Sequence, residues 1–245
     1  MTKWVGNSGP LRVGVIGVGH HGQHHARLFS QLSNVRLAGV MDVDPERLDQ
    51  IAGQFDTKPF AILAPLLQEV HAVSIAAPTT VHLEIARQCL EAGVHVLVEK
   101  PLALTSQEGR ELDVLARKHD CILQVGHIER FNPVWRDNRI SILSPLFIDI
   151  QRLSPFPHRG TDVDVVRDLM IHDLDLLLSL ELGAVQSVQA VGMVVRSSHI
   201  DCAHATLQFE RNCTVNLTAN RISQSRVRRC SVLQQNAFLE MDFHT

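Results

Sequence analysis

The chain has 245 residues, 45% of them hydrophobic and 20% charged, with a formal net charge of −3 at pH 7. That length suits one large domain or two small ones, and so slight a charge gives no field for gathering nucleic acid or an acidic membrane surface. No stretch reaches the roughly 18 apolar residues of a membrane span, and no basic start leads into an apolar run, so no membrane attachment or export signal is predicted.

In chain order, "LRVGVIGVG" is a short apolar run ending in glycines, the pattern of a buried parallel strand. "GQHHARLFSQL" then has helical spacing, with Ala26, Phe29 and Leu32 on one side. "VRLAGVMDVD" reads as a second strand ending in acids, and "DPERLDQIAGQF" opens a helix with Pro45 at its start. The alternation continues through strand "AVSIAAP", helix "VHLEIARQCLEAG", strand "VHVLVEKP", helix "SQEGRELDVLARKH" and strand "CILQVGH". Strands alternating with helices predict an α/β fold, a doubly wound parallel sheet, over residues 1–126.

The texture changes after about residue 144. "LFIDIQRL", "VQSVQAVGMVV", "AHATLQF", "CTVNLTANR" and "VRRCSVLQQ" follow closely, interrupted by one long helix over roughly 163–182. Short connections between alternating segments predict an open mixed or antiparallel sheet, hence a second, α+β domain over 127–245. The sequence stops at "AFLEMDFHT" within strand-like material, so this sheet is expected to be short at its C-terminal side. Cys89, Cys121, Cys202, Cys213 and Cys230 are odd in number and form no C-x-x-C pair. Reduced thiols in a cytoplasmic protein are expected, rather than a disulfide frame or zinc knuckle.

Gly17, Gly19 and Gly22 form G-x-G-x-x-G between a strand and a helix. The first glycine permits the tight turn, the second lets backbone approach a pyrophosphate, and the third allows close packing of a helix whose N-terminus attracts the anion. Asp42, 20 residues beyond Gly22 at the end of the next strand, can accept hydrogen bonds from adenosine ribose hydroxyls. Its charge repels a 2′-phosphate and no arginine directly follows it, so NAD is expected as cofactor rather than NADP. The pairs His20/His24 and His21/His25 have the i, i+4 spacing of metal ligands. However, His20 and His21 lie in the phosphate loop and no neighbouring cysteine or carboxylate completes a ligand set, so no metal is expected.

Two further clusters carry polar chemistry. "VLVEKPLALT" places Glu99, Lys100 and Pro101 at the C-terminal end of a strand, the edge where open α/β sheets bind ligands. A lysine there can hydrogen-bond a substrate hydroxyl and stabilise a developing alkoxide, or be a solvated strand-end charge; the Lys100–Pro101 bond is a candidate cis peptide. In "DVVRDLMIHDLDLLLSL", Asp168, His172 and Asp175 fall on one stripe of a helix. This stripe reads as a general base oriented by an acid, as an Asp-x3-His-x2-Asp metal site, or as a satisfied structural histidine.

Together, "GVGHHG", "AAPTTVH", "GVHVLVEKPLALT" and the distal Asp-x3-His-x2-Asp resemble the Gfo/Idh/MocA oxidoreductase family over residues 11–245. The resemblance implies an N-terminal Rossmann domain and a C-terminal α/β domain whose open sheet assembles homo-oligomers, dimers or tetramers. It implies Lys100 as catalytic lysine and His172 as base with Asp168 beside it. Pro78, Thr79 and His82 would line the dinucleotide, with His20 and His21 at its phosphates and Glu99 near the nicotinamide ribose. His25, three residues after Gly22, would pack or hydrogen-bond near the loop.

"QVGHIERFNP" and "RLSPFPHRGTDVDVVRDLMIHDLDLLL" are similar, more narrowly, to the UDP-N-acetylglucosamine 3-dehydrogenases that begin the route to 3-amino-sugar lipid A. That implies oxidation of the sugar 3-hydroxyl, with Arg130, Arg152 and Arg159 contacting substrate alongside Lys100, Asp168 and His172. Each arginine taken alone is better read as a solvated surface charge. The alternatives are oxidation of inositol or another sugar, an NAD-dependent glycosidase, and a non-catalytic NAD sensor.

Overall fold

A computed structural model describes residues 9–156 and 163–244. The chain divides between Gly126 and His127 into two compact units. In the first unit, β1 (Leu11–Ile16), β2 (Val35–Met41), β3 (Lys58–Phe60), β4 (Ala72–Ile75), β5 (His95–Val98) and β6 (Leu123–Val125) form one sheet. Its order is β3-β2-β1-β4-β5-β6 and every pairing is parallel. The order reverses between β1 and β4, which opens a crevice at the carboxyl ends of those strands, where ligands of such sheets bind.

The helices are α1 (His20–Gln31), α2 (Pro45–Gln54), α3 (Leu63–Glu69), α4 (His82–Glu91) and α5 (Ser106–Lys118). Their starts follow local chemistry. Asp44 caps α2 by accepting from Glu46 N and Arg47 N, and Pro45 sits at its first position. Thr105 and Glu108 form a reciprocal capping box on α5. The strand sequences carry the core: Val13, Val15 and Ile16 of β1 are buried, as are Val96 and Val98 of β5.

The alternating pattern does not predict β3 and α3. β3 has three residues, includes Pro59, and lies at the sheet edge against β2, where a proline costs no ladder bond on its outer side.

The second unit holds α6 (Pro133–Asn138), β7 (Pro145–Leu153), a π-helical turn (Val166–Met170), α7 (Ile171–Leu178), β8 (Val185–Met193), β9 (Cys202–Phe209), β10 (Thr214–Asn220), β11 (Val227–Gln234) and β12 (Ala237–Asp242). Its sheet runs β12-β11-β7-β10-β9-β8, with β7 and β10 parallel and the other pairs antiparallel. One face is apolar, with Ala205, Leu207, Val215 and Leu217 packed in a core that includes Trp135, Leu176 and Leu177. The other face carries His204, Thr206, Asn216 and Thr218, tied across strands by side-chain hydrogen bonds of 2.8–3.0 Å.

The single helix expected over 163–182 is instead a π turn followed by a shorter α7. Ser179 Oγ donates to the Leu176 carbonyl at 2.6 Å, and Gly183 adopts a φ of +82°, so the segment leaves helical geometry after Leu178.

Candidate active site

The glycine loop is shaped by what two of its glycines avoid. Gly17 has a φ of +82°, and a Cβ there would lie 2.8 Å from Ala77 N. A Cβ on Gly22 would overlap the Gly17 carbonyl oxygen. Gly19 differs: among the described residues a Cβ there would meet only Arg47 Nη1, at 3.6 Å, so its backbone is open to an approaching group. α1 begins directly at His20 with no side chain capping its first turn, leaving backbone N–H groups for an anion. These features fit a dinucleotide pyrophosphate.

Asp42, at the end of β2, is held from both sides. Its Oδ2 accepts from Val18 N at 2.7 Å and its Oδ1 from Asp44 N at 3.0 Å. The carboxylate therefore links the glycine loop to the α2 cap at a fixed orientation. Arg47, from the first turn of α2, places Nη1 3.8 Å from Asp42 Oδ2 and Nη2 2.6 Å from Asp44 Oδ2.

Beyond β4 and β5 the chain builds a second anchored group. His25 on α1 reaches Ser74 Oγ of β4 at 2.6 Å through Nδ1 and Glu99 Oε1 at 3.0 Å through Nε2. Burial alone would raise the Glu99 carboxyl, but the hydrogen bond and charge of His25 outweigh it and hold the group below the ordinary 4.5. Glu99 Oε2 also accepts from Lys100 N at 3.3 Å. Lys100 is half-buried, and the Lys100–Pro101 bond is cis. Partial burial holds His21 below its ordinary 6.5; Glu99 opposes this, while His20 and Lys100 act in the same direction. His21 thus shares the electrostatic environment of Glu99 and Lys100.

His82 requires a correction. It is buried rather than facing a dinucleotide, with Nε2 2.8 Å from the Ala77 carbonyl and Nδ1 3.0 Å from that of Pro101. It braces the turn after β4 against the segment carrying Glu99 and Lys100. Pro78 is exposed and Thr79 half-buried on that same turn, which continues as a short 3₁₀ helix (Thr79–Val81).

In the second unit, Asp168 lies in the π turn and His172 in the first turn of α7, both half-buried. π turns recur at functional sites. Asp175, on the stripe predicted with them, is buried and gripped by Arg130, whose Nε and Nη2 each lie 2.6 Å from a carboxylate oxygen. The Arg130 side chain remains 48% exposed beyond that fork.

Arg152 is the second correction. Only 3% exposed, it donates to Asp173 at 2.7–3.0 Å and to Glu129 at 3.3 Å, so its guanidinium neutralises buried carboxylates instead of meeting solvent-borne substrate. Burial raises the Asp173 carboxyl, and Arg152 opposes that shift. Arg159 falls outside the described residues. Arg47, Asp173 and Glu129 carry no expectation from the sequence, and only the i+3 spacing of Asp44 and Arg47 offers a local signal for any of them.

Comparison with known families resolves what this scaffold is. Residues 11–127 match the model of an oxidoreductase family with an NAD-binding Rossmann fold, GFO/IDH/MocA, and residues 150–240 match the C-terminal domain of that family. The chain belongs to the Gfo/Idh/MocA oxidoreductases. Its first unit is the family's NAD-binding Rossmann domain. Among curated relatives, a UDP-N-acetylglucosamine 3-dehydrogenase of Acidithiobacillus ferrooxidans is 38% identical over 95% of this chain and 74% of its own length. A solved structure of that enzyme superposes with a TM-score of 0.91 at 37% identity, covering 96% of this chain and 77% of the other. An inositol 2-dehydrogenase of Saccharopolyspora erythraea is 30% identical over 68% of this chain and 52% of its own. The fold also matches GenD2 from gentamicin A biosynthesis, solved in complex with NAD, with a TM-score of 0.89 at 21% identity over 96% of this chain and 73% of that one.

Proposed function

We propose that this Gfo/Idh/MocA chain oxidises the 3-hydroxyl of UDP-N-acetylglucosamine to the 3-keto sugar with NAD, supplying a 3-amino-sugar branch of lipid A synthesis in the cytoplasm. The observation that carries the reading is the anchoring of Lys100. Its flanking Glu99 is pinned by His25, and its flanking Pro101 is braced through His82, all at the carboxyl edge of an NAD-binding sheet. The 38% identity to a UDP-N-acetylglucosamine 3-dehydrogenase supports the choice of sugar.

Gly17, Gly19, Gly22, His20, His21, Asp42, Pro78, Thr79 and Glu99 would hold the dinucleotide. The bound nicotinamide supplies the hydride acceptor. The Lys100 ammonium donates to the oxygen of the reacting hydroxyl and stabilises negative charge as it develops there. His172 takes the hydroxyl proton, a contribution of about 10² to 10⁴ in rate, and Asp168 orients that imidazole. Arg130 offers its exposed edge to the substrate diphosphate.

The exposed valines of β8, Val188 and Val191, support assembly into a homo-oligomer through this sheet. Among the described residues no helix is long and apolar enough to cross a membrane.

The direct test is NADH formation from NAD and UDP-N-acetylglucosamine, coupled to an aminotransferase that removes the ketone, with inositols and other UDP-sugars in parallel. Turnover of the UDP-amino sugar that disappears in Lys100→Ala is expected. Turnover of inositol alone would replace the substrate assignment, and a fully active Lys100→Ala would overturn the mechanism.

A further inference from the structure

Cofactor choice at Rossmann sites is decided beside the adenosine ribose, where an acid favours NAD and a nearby arginine accommodates the 2′-phosphate of NADP. In this sequence Val43 follows Asp42, so no arginine sits directly after the acid. The fold supplies one from the next helix. Asp44 caps α2 and the first turn carries Arg47 back toward the end of β2. There the guanidinium lies 3.8 Å from Asp42 and, among the described residues, is the one group within 4 Å of where a Gly19 Cβ would stand.

We propose that Arg47 is a masked 2′-phosphate partner: the site selects NAD because two carboxylates, Asp42 and Asp44, outweigh this one guanidinium, and removing either charge turns the site toward NADP. The inference rests on the reading that Asp42 meets the adenosine ribose.

The charges support it. Asp42 is 5% exposed and fixed by two backbone donors, so it cannot swing aside for a phosphate. Arg47 is 39% exposed, and Asp44 holds it by a single 2.6 Å contact, leaving Nη1 able to donate elsewhere. The three side chains sum to one net negative charge, which repels a 2′-phosphate. With one carboxylate gone the patch is neutral and contains a planar donor suited to phosphate.

The test titrates NAD and NADP themselves into the full-length protein without sugar, read by calorimetry. Asp42→Ser removes the charge and makes room; Asn would turn an amide NH2 toward Val18 N or Asp44 N. Asp44→Asn is the milder variant, because asparagine keeps the cap on α2 and folding is not at issue. Asp42→Ser is expected to shift the NADP-to-NAD affinity ratio by about tenfold to a hundredfold, the worth of one charged hydrogen bond. Asp44→Asn shifts it less in the same direction, and adding Arg47→Ala to either variant cancels the gain.

If either variant gains NADP affinity that survives Arg47→Ala, Arg47 is not the partner and the proposal falls. If Asp42→Ser loses NAD affinity and neither variant gains NADP, the proposal falls while the ribose reading stands. If Asp42→Ser keeps full NAD affinity, the ribose lies elsewhere and both fall. None of these outcomes bears on the sugar substrate.

Discussion

His25 Nε2 lies 3.0 Å from Glu99 Oε1, so a histidine of the first helix fixes the carboxylate that adjoins Lys100. Its other nitrogen is anchored on Ser74, a polar residue fully buried in one of the two central strands of the sheet. The pair sets a pH dependence whose sign follows from the Glu99 shift. The carboxyl is held below 4.5 in the native protein, so its charge persists as pH falls through the ordinary glutamate range. In His25→Ala burial is opposed only by the Lys100 N–H hydrogen bond and the His21 charge, so Glu99 neutralises at higher pH than in the parent. NAD affinity, titrated by calorimetry from about pH 4 to pH 7, is expected to fall about tenfold. Its acid limb is expected to move upward. An unchanged affinity and profile would show that Glu99 needs no anchor.

The loop glycines separate structure from binding. A methyl on Gly22 collides with the Gly17 carbonyl oxygen, whereas one on Gly19 meets only the end of a flexible arginine. Gly22→Ala is therefore expected to lose about 3 kcal/mol or more of stability in urea. Gly19→Ala is expected to melt near the parent temperature yet bind NAD poorly, because its methyl occupies the surface the pyrophosphate approaches. Equal loss of stability in both variants would refute this division.

Chemistry set by neighbours along the chain is legible in the sequence; chemistry set by the packing of distant segments is not. The G-x-G-x-x-G loop, Asp42 and Glu99–Lys100–Pro101 each sit at a strand end, and strand ends follow from apolar runs and the turn residues after them. Ser74 carries no expectation within the strand "AVSIAAP", because its partner His25 is 49 positions away. Arg152 reads as a substrate contact or a surface charge and Asp173 carries no expectation, because only the packing of β7 against the helical layer buries them together. His82 opens α4, within the helical pattern of "VHLEIARQCLEAG", yet the side on which its ring lies depends on Pro101, contributed by another strand's end.

Arg152 gives a test of that correction. Its guanidinium and the Asp173 and Glu129 carboxylates form a buried network, and Asp173 in particular is almost fully enclosed. Removing one partner of a buried ion pair strands the others, so Arg152→Met is expected to lose about 3–5 kcal/mol in a denaturant titration. A variant of parental stability with weakened UDP-sugar binding would instead restore Arg152 as a substrate contact.

The cysteines supply an alkaline counterpart to the Glu99 prediction. Desolvation pushes Cys89 and Cys230 up to about 12 and Cys213 up to about 11, against an ordinary 9.0. A thiol raised in the native state keeps its proton while the unfolded chain loses it, so its stabilising contribution is complete below pH 9.0 and declines as pH rises toward those values. Urea midpoints are expected to fall over that interval, and less steeply in Cys89→Ala, which removes one such group. The same burial predicts reactivity, since the thiolate is the nucleophile. Under native alkylation at about pH 8, the half-buried Cys121 and Cys202 should label before buried Cys89, Cys213 and Cys230, and urea should equalise all five. Native labelling of Cys89 as fast as Cys202 would mean that the core of the first unit opens far more readily than its packing implies.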